Sequence, residues 1–205
     1  DWPGLRLLYV DNGSERSACD QVVAQTRCGV LRLEPNAGVA GGLNAGIRHA
    51  VAHGAEYIVI LNNDTIVDRQ AVSRLVRAGE ANPRAGLIAP KIFYHAEPRL
   101  VWSAGSVFRR FPPVIVMRKT KVPDDGRYDR PADMAFATFC VIALRRGMVQ
   151  AAGLLDPDYH FLYEDYDLCL RAAVAGFGVR YEPGAQVWHK ISRTTGAGTP
   201  NPNFW

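Results

Sequence analysis

The chain has 205 residues, 48% of them hydrophobic and 21% charged, with a formal net charge of +4. This is the composition of a globular chain long enough to bury one sizeable core. The mild positive charge suits a small anionic ligand and does not call for nucleic acid as a partner. No apolar run approaches the ~20 residues that span a bilayer, and no signal peptide is visible. Cys19, Cys28, Cys140 and Cys169 are scattered without a Cys-x-x-Cys pair. That supports neither a disulfide framework nor a cysteine zinc site, and suggests reduced, mostly buried thiols.

The pattern at 5–10 predicts a strand, followed by a turn at Asp11-Asn12-Gly13-Ser14. A short helix is predicted over 17–25 and a strand over 30–33. Residues 34–46 then form a glycine-rich loop that runs into a helix ending near His53-Gly54. Small residues allow close backbone approach to a ligand, and a helix start favours anions. The loop matches neither Gly-x-Gly-x-x-Gly nor a phosphate loop with Lys-Ser/Thr, and its glycines equally permit tight helix–strand packing.

Residues 57–61, Tyr-Ile-Val-Ile-Leu, are apolar and rich in β-branched side chains, which predicts a buried strand inside a parallel sheet. It ends in Asn62-Asn63-Asp64. Open parallel sheets place ligands at the carboxyl ends of their strands. There, a lone carboxylate with amide neighbours offers hard oxygen ligands to Mg²⁺ or Mn²⁺. A capping turn is the alternative reading of the same three residues.

A helix over 68–81 and a strand over 86–90 follow. The alternation of strands and helices predicts an α/β fold with a mostly parallel central sheet and helices on both faces. Residues 91–130 break that alternation and predict an irregular insertion or hairpin. From Arg109 to Arg130 this insertion is rich in Arg and Lys, which reads as a solvated face, or else as a contact for an anionic acceptor or lipid headgroup. A single strand is predicted over 134–144, and a short helix over 145–152. A helix opening at Glu164-Asp165-Tyr166-Asp167 runs to about 175, and a last strand covers 179–182. Trp188-His189-Lys190 and a Gly/Ser/Thr/Pro-rich tail close the chain. On a helix, Asp167 meets Arg171 at i+4 and reads as an ion-pair partner. Glu164 and Asp165 sit in the first turn, either as caps or as a carboxylate base aimed into a cleft.

Five pieces in this order resemble glycosyltransferase family 2 enzymes of the nucleotide-sugar-binding A-type (GT-A) fold, near their bacterial rhamnosyltransferase-like branch. They are Val10-Asp11-Asn12-Gly13-Ser14, the loop Asn36-Ala37-Gly38 through Gly46, Leu61-Asn62-Asn63-Asp64, the Glu164 to Arg171 run and Trp188-His189. The resemblance spans nearly the whole chain as one domain, 1–205. It implies a Rossmann-like nucleotide-diphospho-sugar transferase fold. Its implied activity is inverting sugar transfer from a UDP- or dTDP-sugar to an acceptor hydroxyl of a polysaccharide or glycolipid.

The resemblance also implies residue roles. Asp11 and Asn12 would contact the base and ribose, and Asn36, Gly38, Gly41, Gly42, Asn44 and Asn63 would line the nucleotide pocket. Asp64 and His189 would hold the Mg²⁺ or Mn²⁺, although a lone histidine also reads as structural. Asp165 would be the general base, with Glu164 beside it. One base and one displacement suffice for inversion, so no second carboxylate nucleophile is needed. The implied location is cytoplasmic, at the inner face of the membrane where the acceptor is lipid-linked.

Two features depart from the family. Its first strand, ending in Thr/Ser-Tyr-Asn, is absent here, which suggests as an alternative an inactive nucleotide-sugar-binding fragment. Asn62 stands where the first acid of Asp-x-Asp is usual. A nucleotidyltransferase of similar architecture would want a basic glycine-rich signature near the start, and none is visible.

Overall fold

The structure is a computed structural model that describes residues 1–26, 28–110, 113–117, 121–159 and 163–190. Side chains at 16–19, 108–110, 113–115 and 117 are outside that description. So are Arg118 and Lys119 of the basic stretch and the tail beyond Lys190.

The most deeply buried strand is not the one at 57–61. Ala85–Tyr94 (β5) is buried at every position except Tyr94. A strand buried along its length, apolar except for Lys91, needs cover on both faces, and two groups of helices supply it. Ile88 points to one face, where Ala71, Leu75 and Ala78 of Ala71–Ala81 (α3) pack with Ala143 and Ala185. Leu87 and Ala89 point to the other. That face is closed by Ile47 of Gly38–Ala52 (α2), Met148 of Arg146–Ala152 (α4) and Leu168 of Glu164–Val174 (α5). Helices therefore cover both faces, as the sequence suggests.

Sheet direction differs from the expectation. The main sheet of eight strands runs in the order Ala132–Met134 (β10), Gly178–His189 (β12), β5, Val141–Arg145 (β11) and Tyr57–Leu61 (β3). Thr65–Val67 (β4) also pairs with β12, Leu100–Ser103 (β6) with β5, and Val122–Pro123 (β9) with β6. Within this sheet β12 and β5 are parallel, and every other recorded pairing is antiparallel. The reason lies in the connections. Parallel neighbours need a crossover, usually a helix. No helix intervenes between α3 and α4 among the described residues, so the strands of that stretch return directly.

The stretch predicted as an irregular insertion contains β6, the hairpin of Ser106–Arg110 (β7) with Pro113–Met117 (β8), and β9. It is tied to the core by buried Lys91, whose ammonium sits 2.8 Å from the Asp124 carboxylate and also contacts Asp129. The predicted single strand over 134–144 is two strands, because the chain turns between Met134 and Val141.

Leu8–Asn12 (β1) and Gly29–Leu33 (β2) are parallel and form a sheet of their own, linked by Arg16–Gln25 (α1). Helix α2 packs on both β1 and β3. β3 pairs with β11 and ends the main order, so it is an edge strand rather than the centre of a parallel sheet. No helix of the described residues is long and apolar enough to cross a membrane. Cys140 and Cys169 are buried free thiols, and burial pushes both up to about 12.

Candidate active site

β3 ends in a tight turn. Thr65 donates from its backbone N–H and from Oγ1 to the carbonyl of Asn62, at 3.3 and 2.6 Å. Asn62 and Asn63 are exposed on this turn, and Asp64 is half-buried. β12 runs antiparallel to β4, with His189 opposite Thr65. That register sets His189 Nε2 3.1 Å from Asp64 Oδ1. The backbone locks the pair, since Lys190 N–H donates to the Asp64 carbonyl at 2.9 Å. His189 is buried, its ring lies 4.9 Å from that of Trp102, and its Nδ1 has no partner among the described residues. A buried, unsatisfied ring nitrogen beside a carboxylate is unusual for a purely structural histidine.

The prediction of a last strand ending at 182 is corrected here. Pro183-Gly184 does not stop β12. The strand carries a register shift between Glu182 and Gln186, a bulge that accommodates the proline, and it continues to His189. His189 is thus the final residue of a twelve-residue strand.

Asp165 stands in the first turn of α5. Burial, and then the charge of Glu164, push its carboxyl up to about 6. Backbone N–H groups of Tyr166, at 2.8 Å, and Phe139 donate to the carboxylate and oppose that rise. Glu164 Oε2 is buried without a partner among the described residues. The Phe139 N–H that meets the Asp165 carboxylate belongs to the same turn as Cys140, next to it in the chain. The Cys140 carbonyl also accepts the Asn62 N–H at 2.8 Å. The 139–140 turn is thus tied to Asp165 through Phe139 and to the Asn62-Asn63-Asp64 turn through the Cys140 carbonyl. Asp167 and Arg171 form the expected i+4 ion pair at 2.6 Å. The same guanidinium donates to the carbonyls of Ala152 and Leu154, fixing the end of α4.

A second cluster is built around β1. Asp11 is fully buried, and its carboxylate accepts from Arg32 at 2.7 Å and from the Ser14 N–H at 3.0 Å. The Asn12 amide clasps the glycine loop, donating to the Gly38 carbonyl at 2.8 Å and accepting from the Ala37 N–H at 2.9 Å. The Asn36 side chain accepts from the Gly38 N–H at 2.8 Å. A Cβ on Gly42 would lie 3.0 Å from the Asn12 amide, and one on Gly41 2.7 Å from Ala37 Cβ. Gly13 combines a left-handed φ of +79° with a backbone approach to Asn36 that leaves no room for a side chain. These residues fold the loop onto the strand end, so what they offer a ligand is largely backbone.

The loop expected over 34–46 is helical from Gly38 onward, so Asn44 lies inside α2. Its buried amide donates to the Leu155 carbonyl at 2.8 Å and accepts from the Leu155 N–H at 2.9 Å. It fastens α2 to the segment that leads into α5. No local pattern could have revealed a partner 111 positions away. Asn44→Ala leaves both Leu155 groups buried and unsatisfied. At about 1–3 kcal/mol per group, it is expected to cost on the order of 2–6 kcal/mol, read as a lower urea midpoint at unchanged m-value.

The family described as Glycosyl transferase family 2 matches residues 1–150. The chain belongs to glycosyltransferase family 2. Among its curated relatives, the pre-mycofactocin glycosyltransferase of Mycobacterium tuberculosis is 28% identical over 195 residues, covering 91% of this chain and 37% of the relative. The poly-β-1,6-N-acetyl-D-glucosamine synthase of Staphylococcus epidermidis is 20% identical over 199 residues, covering 96% of this chain and 45% of the relative. This family 2 chain thus spans less than half the length of either protein. A crystal structure of GalNAc-T7 with UDP, GalNAc and Mn²⁺ superposes with a TM-score of 0.71 at 16% identity, over 97% of this chain and 39% of that one. At that identity the likeness establishes a GT-A-like fold.

Proposed function

We propose that the chain is the donor-binding and catalytic part of an inverting glycosyltransferase. It moves a hexosyl or rhamnosyl unit from a UDP- or dTDP-sugar to a hydroxyl of a polysaccharide or glycolipid, at the inner face of the membrane where the acceptor is lipid-linked. The observation that carries this reading is that one turn, 139–140, is bonded both to Asp165, raised to about 6, and to the Asn62-Asn63-Asp64 turn whose Asp64 meets His189 at 3.1 Å. Asp165 acts as the base. A carboxylate raised toward the working pH takes the acceptor hydroxyl proton more readily than an ordinary one. Asp11, Asn12, Asn36, Gly38, Gly41, Gly42 and Asn63 form the nucleotide side, with the 36–42 backbone lining it and Asn44 holding its helix in place.

The donor set fits a divalent cation. Asp64 supplies a hard oxygen and His189 a buried nitrogen within 3.1 Å of each other. The described residues hold no group of three or more such side chains, so the donor's diphosphate would have to supply further oxygen ligands. When bound, Mg²⁺ or Mn²⁺ neutralises the charge that develops on the departing diphosphate. Asp64 and His189 would hold that cation, and Asp165 would receive the acceptor proton. The rhamnosyltransferase-like assignment rests on the Asn62-Asn63-Asp64 sequence.

The test is thermal stabilisation by UDP- and dTDP-sugars with and without Mn²⁺, because a ligand bound to the folded state raises the midpoint. Absence of any shift across the panel sinks the proposal.

One observation favours a second reading, a binding fragment that does not turn over. The β1–β2 pair forms its own sheet while β3 ends the larger one, and α2 packs on both. A further strand between β1 and β3 would make one continuous sheet and complete the nucleotide side. Measurable turnover by residues 1–205 alone removes this reading.

A further inference from the structure

An aromatic shelf leads outward from Asp165. Buried Phe136 meets Tyr166 at 4.9 Å between ring centroids, and Tyr166 meets Tyr163 at 5.9 Å. Exposure rises along the series, and Tyr163 is 64% exposed. Tyr163 also has a φ of +74°, a left-handed conformation that a bulky side chain rarely adopts. The residue immediately precedes Glu164-Asp165 at the start of α5, and its ring partner Tyr166 donates its N–H to the Asp165 carboxylate at 2.8 Å. Tyr166 carries polar groups along the same shelf. Its hydroxyl is hydrogen-bonded to Ser106, and burial followed by the Asp165 charge holds its phenol above the ordinary range.

We infer that Tyr163 is an acceptor-binding residue and that its ring stacks on a pyranose of a saccharide acceptor. This rests on the proposed role of Asp165 as base. A pyranose has an apolar face of C–H groups edged by hydroxyls. Those C–H groups carry slight positive charge and meet the negative face of an aromatic ring favourably. The shelf has the matching layout, an exposed ring bordered by the polar Tyr166, Ser106 and Asp165. A hydrocarbon tail would want a groove without such polar neighbours. Stacking on Tyr163 would hold the sugar with one hydroxyl toward Asp165, two residues along the chain.

Saturation-transfer NMR with cellotetraose, chitotetraose and a β-1,6-linked glucosamine trimer tests this on the whole chain, with n-decanol as the apolar probe. Tyr163→Gly removes the ring and suits the left-handed backbone, so its unfolding midpoint should match or exceed that of the parent chain. Tyr163→Phe keeps the ring. At least one saccharide should bind the parent chain and the Phe variant equally, and the Gly variant about tenfold more weakly, the scale of one aromatic contact. The inference is overturned if no saccharide binds the parent chain, if the Gly variant binds as tightly, or if only n-decanol depends on Tyr163. Nucleotide-sugar stabilisation, measured on the same samples, scores the glycosyltransferase reading separately. Its loss alongside Tyr163-dependent saccharide binding would sink that reading and leave this site standing.

Discussion

Asp165→Asn is expected to lower transfer by about 10²–10⁴-fold, the range that a positioned general base contributes, while nucleotide-sugar binding stays unchanged. Asn keeps the shape of the side chain and one acceptor oxygen for the N–H groups of Tyr166 and Phe139. What it loses is the ability to take a proton. Single-turnover transfer and a nucleotide-sugar titration on one preparation check both halves. Wild-type transfer by the variant would remove Asp165 from the reaction.

The raised carboxyl also fixes two pH dependences. Transfer by the parent chain should rise through pH 6 and level off above it, because the base must be ionised. Stability runs the other way. Burial of the carboxyl disfavours its charged form, so its contribution is fully present below the unfolded value near 4 and is lost as pH rises through about 6. The shift of roughly two units corresponds to at most ~3 kcal/mol. Asp165→Asn should therefore be more stable than the parent chain at pH 8 and no more stable at pH 4, by thermal unfolding at both values. An active-site group that weakens the fold while ionised is expected where a pKa has been displaced for chemistry.

The elements were legible in sequence where the evidence is local. The apolar run at 57–61 and the acidic start of α5 stand where their patterns place them, whereas the helix expected after a 34–46 loop already begins at Gly38. Pairing was not legible, because it depends on partners far apart in the chain. The run at 57–61 looks like a central parallel strand, yet it sits at an edge beside antiparallel β11. Pro183-Gly184 looks like a strand end, but β12 absorbs it as a bulge and so delivers His189 to Asp64. Asn44 looks like pocket lining in a loop of small polar residues, whereas its amide is spent on Leu155. Residue type at strand ends and helix starts thus nominated the candidate residues, and the long-range register that sets their distances had to come from the fold.

Asp64→Asn is expected to abolish the part of thermal stabilisation by UDP that depends on Mn²⁺, while leaving the shift given by UDP alone. The argument starts from charge. Asn62 is neutral, so Asp64 is the single acid of its turn, and the amide replacing it still accepts a hydrogen bond from His189 but offers the cation no charge. In the parent chain, saturating UDP and Mn²⁺ at about 100 times Kd should add ~2.7 kcal/mol, equivalent to roughly 5–10 °C for a chain of this length. His189→Ala should lose part of that increment, because the carboxylate and the diphosphate remain. The mixed donor set adds a preference. Mg²⁺ takes oxygen ligands almost exclusively, while imidazole suits the transition metals. Mn²⁺ should therefore stabilise the parent chain with UDP more than Mg²⁺ does, and His189→Ala should narrow the gap. An Mn²⁺-dependent shift that survives Asp64→Asn would place the cation elsewhere and leave the Asp64–His189 contact as a fastening between β4 and β12.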